Sequence, residues 1–199
     1  SPDGQSLVYA SLYLARPEAM HRISRRPAMG GDEEVLYTSN EETWVTDWSS
    51  DGKYLLLCKG KYIGGSPCDI WVLPLVGERV PFPLVKTPFL EADARFSPDG
   101  KWIAYQSNET DQWEIYIVPF NPPSEDSAAA KRTDFVGGGK WQVSTHGGAK
   151  VKWRADGKEV FFVSGGDSKI TAVEIIVTNN GLEMGAANSL FQVNQPAGI

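Results

Sequence analysis

The sequence predicts an all-β chain, a β-propeller with about four four-stranded blades, on three observations. A turn phrase ending in Asp-Gly recurs as Ser1-Pro2-Asp3-Gly4, Ser49-Ser50-Asp51-Gly52, Ser97-Pro98-Asp99-Gly100 and Arg154-Ala155-Asp156-Gly157. The phrases start 48, 48 and 57 residues apart, and self-similarity at such a period marks one supersecondary unit used repeatedly. Trp48, Phe96 and Trp153 stand immediately before the last three phrases, and an apolar run follows each of the four. Asp-Gly between two β-rich runs is a strong hairpin signal, because Gly supplies positive φ and Asp bonds its own backbone. A β-sandwich also uses many short strands, but it gives no reason for one turn and one flanking aromatic to return at a fixed period.

Each period holds four strand candidates. The first ends in the aromatic. The second is Leu7–Tyr9, Tyr54–Leu57, Trp102–Tyr105 and Val160–Val163. The third is Asp69–Pro74 and its near copy Glu114–Pro119, with His21–Pro27 a weaker version and Lys169–Ile175 lacking the proline. A closing proline suits a strand end, since it donates nothing to the ladder. The fourth is Glu34–Thr38, Phe82–Val85, Trp141–Ser144 and Leu190–Val193. Four strands in roughly 40–45 residues is the size of one blade. The expected blades are residues 1–43, 44–90, 91–148 and 149–199. The chain is expected to be a segment of a larger ring, not a four-bladed ring closed by its tail at Gln195–Ile199.

Composition narrows the role. Apolar content of 41% with 22% charged residues is that of a globular chain. The seven Trp fall mostly at repeat-equivalent positions such as Trp48, Trp71 and Trp153, and read as inter-blade packing. A net charge of −6 argues against nucleic acid as a general partner. The local basic run His21–Arg26 reads as a solvated outer strand. No apolar run approaches the ~20 residues of a membrane span. Residues 121–139, rich in Pro, Ser, Ala and Gly, account for the longer third interval and read as a mobile surface loop.

A search for chemistry finds no catalytic motif. Gly64-Gly65-Ser66-Pro67-Cys68 approaches a nucleophile elbow but lacks the final glycine. No phosphate loop, kinase catalytic loop, zinc spacing or calcium loop is present, so no cofactor and no metal are expected. Cys58 ends one strand and Cys68 begins the next; either they form a cross-strand disulfide, which would fit an oxidising compartment, or they are two unpaired thiols. In propellers the loops between second and third strands share one end of the blades with the links from each fourth strand to the next first strand. Asn40, Glu41 and Glu42 fall there, as do Asn108, Glu109, Thr110 and Asp111, and His146 within Ser144–Gly148. This polar, mostly acidic set is the candidate surface for a protein or peptide partner.

The phrase Phe96–Tyr105 resembles the WD-like repeats of TolB-type β-propellers. Asp69–Leu75, Gly139–Ser144 and Lys152–Glu159 are more similar still to the propeller of bacterial receptor-like Ser/Thr protein kinases. That resemblance carries no catalytic residues. It implies a non-enzymatic, extracytoplasmic bacterial module that binds a protein or peptide, as the sensor part of a membrane kinase or as a TolB-like envelope protein. The alternative it implies is the substrate-gating propeller of a prolyl-oligopeptidase-like serine peptidase, with the catalytic domain encoded elsewhere.

Overall fold

A computed structural model describes residues 1–14, 19–60, 68–122 and 139–193. Within them lie fifteen strands in four antiparallel sheets and no helix. The first sheet has three strands in the order β1(Ser6–Leu14), β2(Ala19–Pro27), β3(Glu34–Ser39). The second runs β4(Thr43–Trp48), β5(Tyr54–Gly60), β6(Cys68–Pro74), β7(Phe82–Val85). The third runs β8(Glu91–Phe96), β9(Trp102–Ser107), β10(Glu114–Pro119), β11(Trp141–Gln142). The fourth runs β12(Gly148–Trp153), β13(Glu159–Ser164), β14(Lys169–Thr178), β15(Gly181–Gln192). Each sheet is a meander in chain order, as a propeller blade requires.

The chain divides into two compact units. One holds Ser1–Ala92 and the other Asp93–Phe120 with residues 139–193. In the first, Ile23, Leu36, Leu55, Leu57 and Leu73 form the core, and Trp48 and Trp71 pack against it. In the second, Ala104, Ile115, Ile117, Val151, Val160 and Val173 are joined by Phe162, Ile175 and Leu182, with Trp102, Trp141 and Trp153 at the margin. Trp153 also donates from Nε1 to the Arg95 carbonyl at 3.2 Å, tying sheet four to sheet three. Five of the seven tryptophans, Trp48, Trp71, Trp102, Trp141 and Trp153, thus pack against a core.

The recurring turn owes as much to its serine as to Asp-Gly. Ser97 Oγ donates to Asp99 Oδ1 at 2.6 Å and accepts from the Trp102 amide at 3.0 Å. Asp99 Oδ1 accepts from the Lys101 amide, and Gly100 closes the turn with φ +69°. Ser49, Asp51, Lys53 and Tyr54 repeat the arrangement bond for bond. In the fourth phrase Arg154 takes the serine's place, bracing Asp156 at 2.7 and 2.8 Å and Glu159 at 2.6 Å. Asp156 is thereby held far below the usual carboxylate range, at about 2.

Three sequence expectations need correction. The basic run His21–Arg26 is not an outer strand: β2 is the central strand of its sheet. Arg25 is paired with Glu34 at 2.5 Å, and Arg79 reaches the same carboxylate at 2.7 Å. Those cations, Arg79 first, pull the Glu34 pKa down. The fourth strand of the last sheet starts at Gly181, nine residues before Leu190, because β14 and β15 form a long hairpin turning at Thr178–Gly181. The fourth strand of sheet three pairs only over Trp141 and Gln142. The expected loop at 121–139, the Gly64–Pro67 sequence and the tail at Gln195–Ile199 fall wholly or largely outside the described residues.

Candidate functional site

In the second unit, three connections meet at one end of sheets three and four: the β9–β10 loop, the β11–β12 link and the β13–β14 loop. The Gly148 amide donates to the Trp113 carbonyl at 2.7 Å, and the Gly165 amide to the Gly147 carbonyl at 3.2 Å. What fixes the link is Glu114, the first residue of β10. Its side chain is fully buried. Oε1 accepts from the Gly147 amide at 2.9 Å and from Gln112 Nε2 at 2.6 Å, while Ser144 Oγ donates to Oε2. Ser144 Oγ accepts in turn from the Ile115 amide at 2.8 Å. A buried carboxylate persists only when hydrogen bonds replace its water, and here the replacements come from the link it positions. Gly148 suits this crowding, since a Cβ there would lie 2.6 Å from Ser144 Oγ and 2.9 Å from Ile115 Cγ1.

The candidate residues have unequal surroundings. His146 is exposed at the middle of the clamped link, with Nδ1 3.0 Å from Thr145 Oγ1. Asp111 is exposed in the β9–β10 loop at φ +65°, its amide bonded to the Asn108 carbonyl at 3.0 Å. Glu109 is paired with Lys140 at 2.5 Å, and Lys140 Nζ also lies 4.9 Å above the Tyr116 ring. In the first unit, Asn40 and Glu41 are exposed in the β3–β4 link. Glu41 pairs with Lys59 at 3.0 Å, and the Glu42 carbonyl accepts from the Gly60 amide at 2.9 Å. The acidic character read from sequence is therefore offset by lysine at Glu41 and Glu109. Asn108, Glu109, Asp111 and His146 share one end of the second unit; Asn40, Glu41 and Glu42 lie in the first.

Electrostatics follow from these contacts. Burial works against the Lys59 charge, but Glu41 and the Tyr37 hydroxyl outweigh it and raise its pKa. Burial raises the Asp69 carboxyl, with Lys86 pulling the other way. Burial, reinforced by the negative charges of Glu109 and Glu114, pushes the Tyr116 phenol from 10.0 up to about 12. The folded value exceeds the unfolded one, so this contribution to stability is complete below pH 10 and is lost as pH rises toward 12. Phenolate absorbance should show a late step near pH 12, with Tyr116→Phe removing it and flattening the loss of stability across the same window.

Cys58 and Cys68 stand on neighbouring strands with Cα atoms 5.8 Å apart and their sulfurs in bonding contact. Among the described residues no group of three or more His, Cys, Asp or Glu is placed to hold a metal ion. Among the described residues no helix is long and apolar enough to cross a membrane.

Sequence reading missed Glu114, which it took for a strand residue only. The available signal was an acid opening both near-copy strands, Asp69 and Glu114.

No protein-family model matches the chain, and no curated protein matches it by sequence. Solved structures do match. A TolB of Agrobacterium tumefaciens is 21% identical with a TM-score of 0.68, over 96% of this chain and 62% of that one. TolB of Acinetobacter baumannii is 20% identical, also with a TM-score of 0.68, over 98% of this chain and 42% of that one. The β-propeller domain of the Trilobed protease from Pyrococcus furiosus is 10% identical with a TM-score of 0.54, over 94% of this chain and 54% of that one. The chain thus spans less than two thirds of each of these. At this identity the likeness establishes the fold: a TolB-like β-propeller.

Proposed function

We propose that this chain is a non-catalytic propeller module that binds a protein or peptide partner through the clamped loop end of sheets three and four. The observation that carries the reading is the buried Glu114, which fixes the Ser144–Gly147 link and so holds His146 outward. A rigid scaffold that presents exposed loop residues is the arrangement on which binding surfaces are built. The TolB-like fold is in keeping with it, and the Cys58–Cys68 bridge fits an extracytoplasmic setting such as a bacterial envelope. In this reading the parent is a membrane kinase with an external sensor or a TolB-like envelope protein.

The test is a peptide selected from a random display library against the intact chain. Replacing His146 and Glu109 together with alanine is expected to weaken that peptide by about tenfold or more, as loss of central contacts does. The melting temperature should fall only slightly, by the loss of the Lys140–Glu109 ion pair, since His146 is exposed. Unchanged affinity discards this end as the site.

A second reading is the gating propeller of a serine peptidase, which the likeness to a protease propeller favours. Reading the gene on both sides of this segment separates the two. A kinase domain and membrane span upstream support a sensor, and a G-x-S-x-G elbow downstream supports a peptidase gate.

A further inference from the structure

Four non-glycine residues among those described have positive φ, a region side chains rarely occupy. Asp111 and Ser168 lie in loops. Asp93, at +51°, lies inside β8, and Lys150, at +61°, inside β12. These are the first strands of sheets three and four, which in a propeller border the central channel. Each residue stands three positions before the aromatic that precedes its Asp-Gly phrase, Phe96 or Trp153. Sheet two shifts register at the same place, between Val45 and Asp47, yet Val45 has no positive φ. A blade therefore does not require the strain. Here it is enforced: the Lys150 amide donates to Oε1 of the buried Gln106 at 3.1 Å, and Lys150 Nζ lies 3.1 Å from Asp93 Oδ2. Strain that surrounding groups hold in place is concentrated at functional sites.

The strained pair gathers charge that is only partly spent. Asp93 Oδ1 lies 3.8 Å from Arg95 Nη2 while Oδ2 faces Lys150, so one carboxylate serves two cations. The three side chains carry one net positive charge. Arg95 also has donors to spare, since a guanidinium carries five N–H groups. Nη1 donates to the Ala94 carbonyl at 3.3 Å, and the 3.8 Å contact with Asp93 is too long for a hydrogen bond. Nε is sealed from solvent; Nη2 is not, and it has no hydrogen-bond partner among the described residues. Lys150, with its side chain 54% exposed, keeps donors free as well.

We propose that Arg95 and Lys150 hold a carboxylate group between β8 and β12, supplied by a chain end or by an acidic side chain. A carboxylate is planar and accepts N–H groups of a guanidinium on both oxygens. Its single charge matches the one positive charge left over. A phosphate dianion would bring a second negative charge against Asp93, and a cation would be repelled by Arg95 and Lys150. A neutral group would accept the same hydrogen bonds but leave the charge unbalanced.

The probes are N-acetylglycine, a chain-end carboxylate, and N-acetyl-aspartate N-methylamide, a side-chain one, followed through the amide resonances of Arg95 and Lys150 in the intact chain. The expected result is a saturable shift with at least one, and the tighter probe identifies the source. Inorganic phosphate and the neutral N-acetyl-asparagine N-methylamide should bind about tenfold more weakly or not at all. Arg95→Lys keeps the charge but loses the planar fork, and should weaken the carboxylate probe by about tenfold. Lys150→Asn should weaken it similarly with little change in melting temperature, because asparagine accepts positive φ. Asp93→Asn should tighten it, because the competing carboxylate is gone. No shift with either carboxylate up to its solubility overturns the proposal. So does equal binding of phosphate or of the neutral amide, unchanged affinity in Arg95→Lys, or weaker binding in Asp93→Asn. The assay needs no peptide partner, so its failure removes this site alone and leaves the loop surface to the His146 and Glu109 substitutions.

Discussion

Replacing Glu114 with leucine is expected to lower the stability of the chain by about 3 kcal/mol or more, the cost of breaking a buried charged network. The buried carboxylate takes hydrogen bonds from the Gly147 amide and Ser144 Oγ inside the protein and from Gln112 Nε2 at its half-buried edge. Leucine is close in volume but accepts nothing, so it strands the Gly147 amide and leaves Ser144 to find another acceptor. Glu114→Gln keeps one carbonyl oxygen for Gly147. It also turns an NH₂ toward Ser144, whose oxygen already accepts from the Ile115 amide. Its loss should be smaller, about 1 kcal/mol. Chemical denaturation of the two variants measures both. If leucine is tolerated as well as glutamine, the link does not depend on the carboxylate. The same substitution should speed amide exchange at Thr145–Gly147, which ties the stability effect to the proposed surface.

Gly181→Ala is expected to cost about 2–4 kcal/mol, for two reasons that add. Gly181 closes the β14–β15 hairpin at φ +124°, a region side chains rarely occupy. A Cβ there would also run into the Trp141 indole, with Cε2 at 2.9 Å and Cη2 at 3.1 Å. Trp141 cannot withdraw easily. It packs against the core of the second unit and meets the Trp102 ring edge-to-face with centroids 5.5 Å apart. Overpacking against an aromatic held on both sides forces the core itself to shift. Thermal denaturation of Gly181→Ala measures the loss; a change below about 0.5 kcal/mol would mean the hairpin tip yields without disturbing Trp141.

Much of the architecture was legible from residues because it repeats. Four copies of one turn phrase located β1 in the first sheet and the first and second strands of the other three, and the twin runs Asp69–Pro74 and Glu114–Pro119 located two third strands. The serine in that phrase stood in plain view, yet its double hydrogen bond emerged only with coordinates. The strands misplaced were those without a repeat to copy. β15 begins well before Leu190 because hairpin extension depends on pairing along β14, and Gly-Leu-Glu-Met-Gly-Ala-Ala carries little strand preference of its own. The central place of β2 was hidden by its charge: Arg25 reads as a solvent residue until Glu34 is seen beside it.

The candidate site was legible in outline and not in mechanism. Sequence placed His146 in a link and Asn108–Asp111 in a loop, and the structure brings both to one end of the second unit. It could not show that lysines offset Glu41 and Glu109, since Lys59 and Lys140 arrive from other strands or after a long connection. Nor could it show that Glu114 points back to hold the link, because the acid that opens both near-copy strands marks a position and not the direction of its side chain. Buried hydrogen bonding of this kind is set by tertiary packing, on which local periodicity is silent.

The most direct test of the binding surface is hydrogen exchange on the intact chain, with and without a display-selected peptide. The account predicts slowed exchange at Asn108–Trp113 and Val143–Gly148 on binding, with the Asp-Gly turns at Ser97–Gly100 and Arg154–Gly157 unchanged. Slowing confined to those turns, or no slowing at the loop end despite saturating peptide, would contradict it.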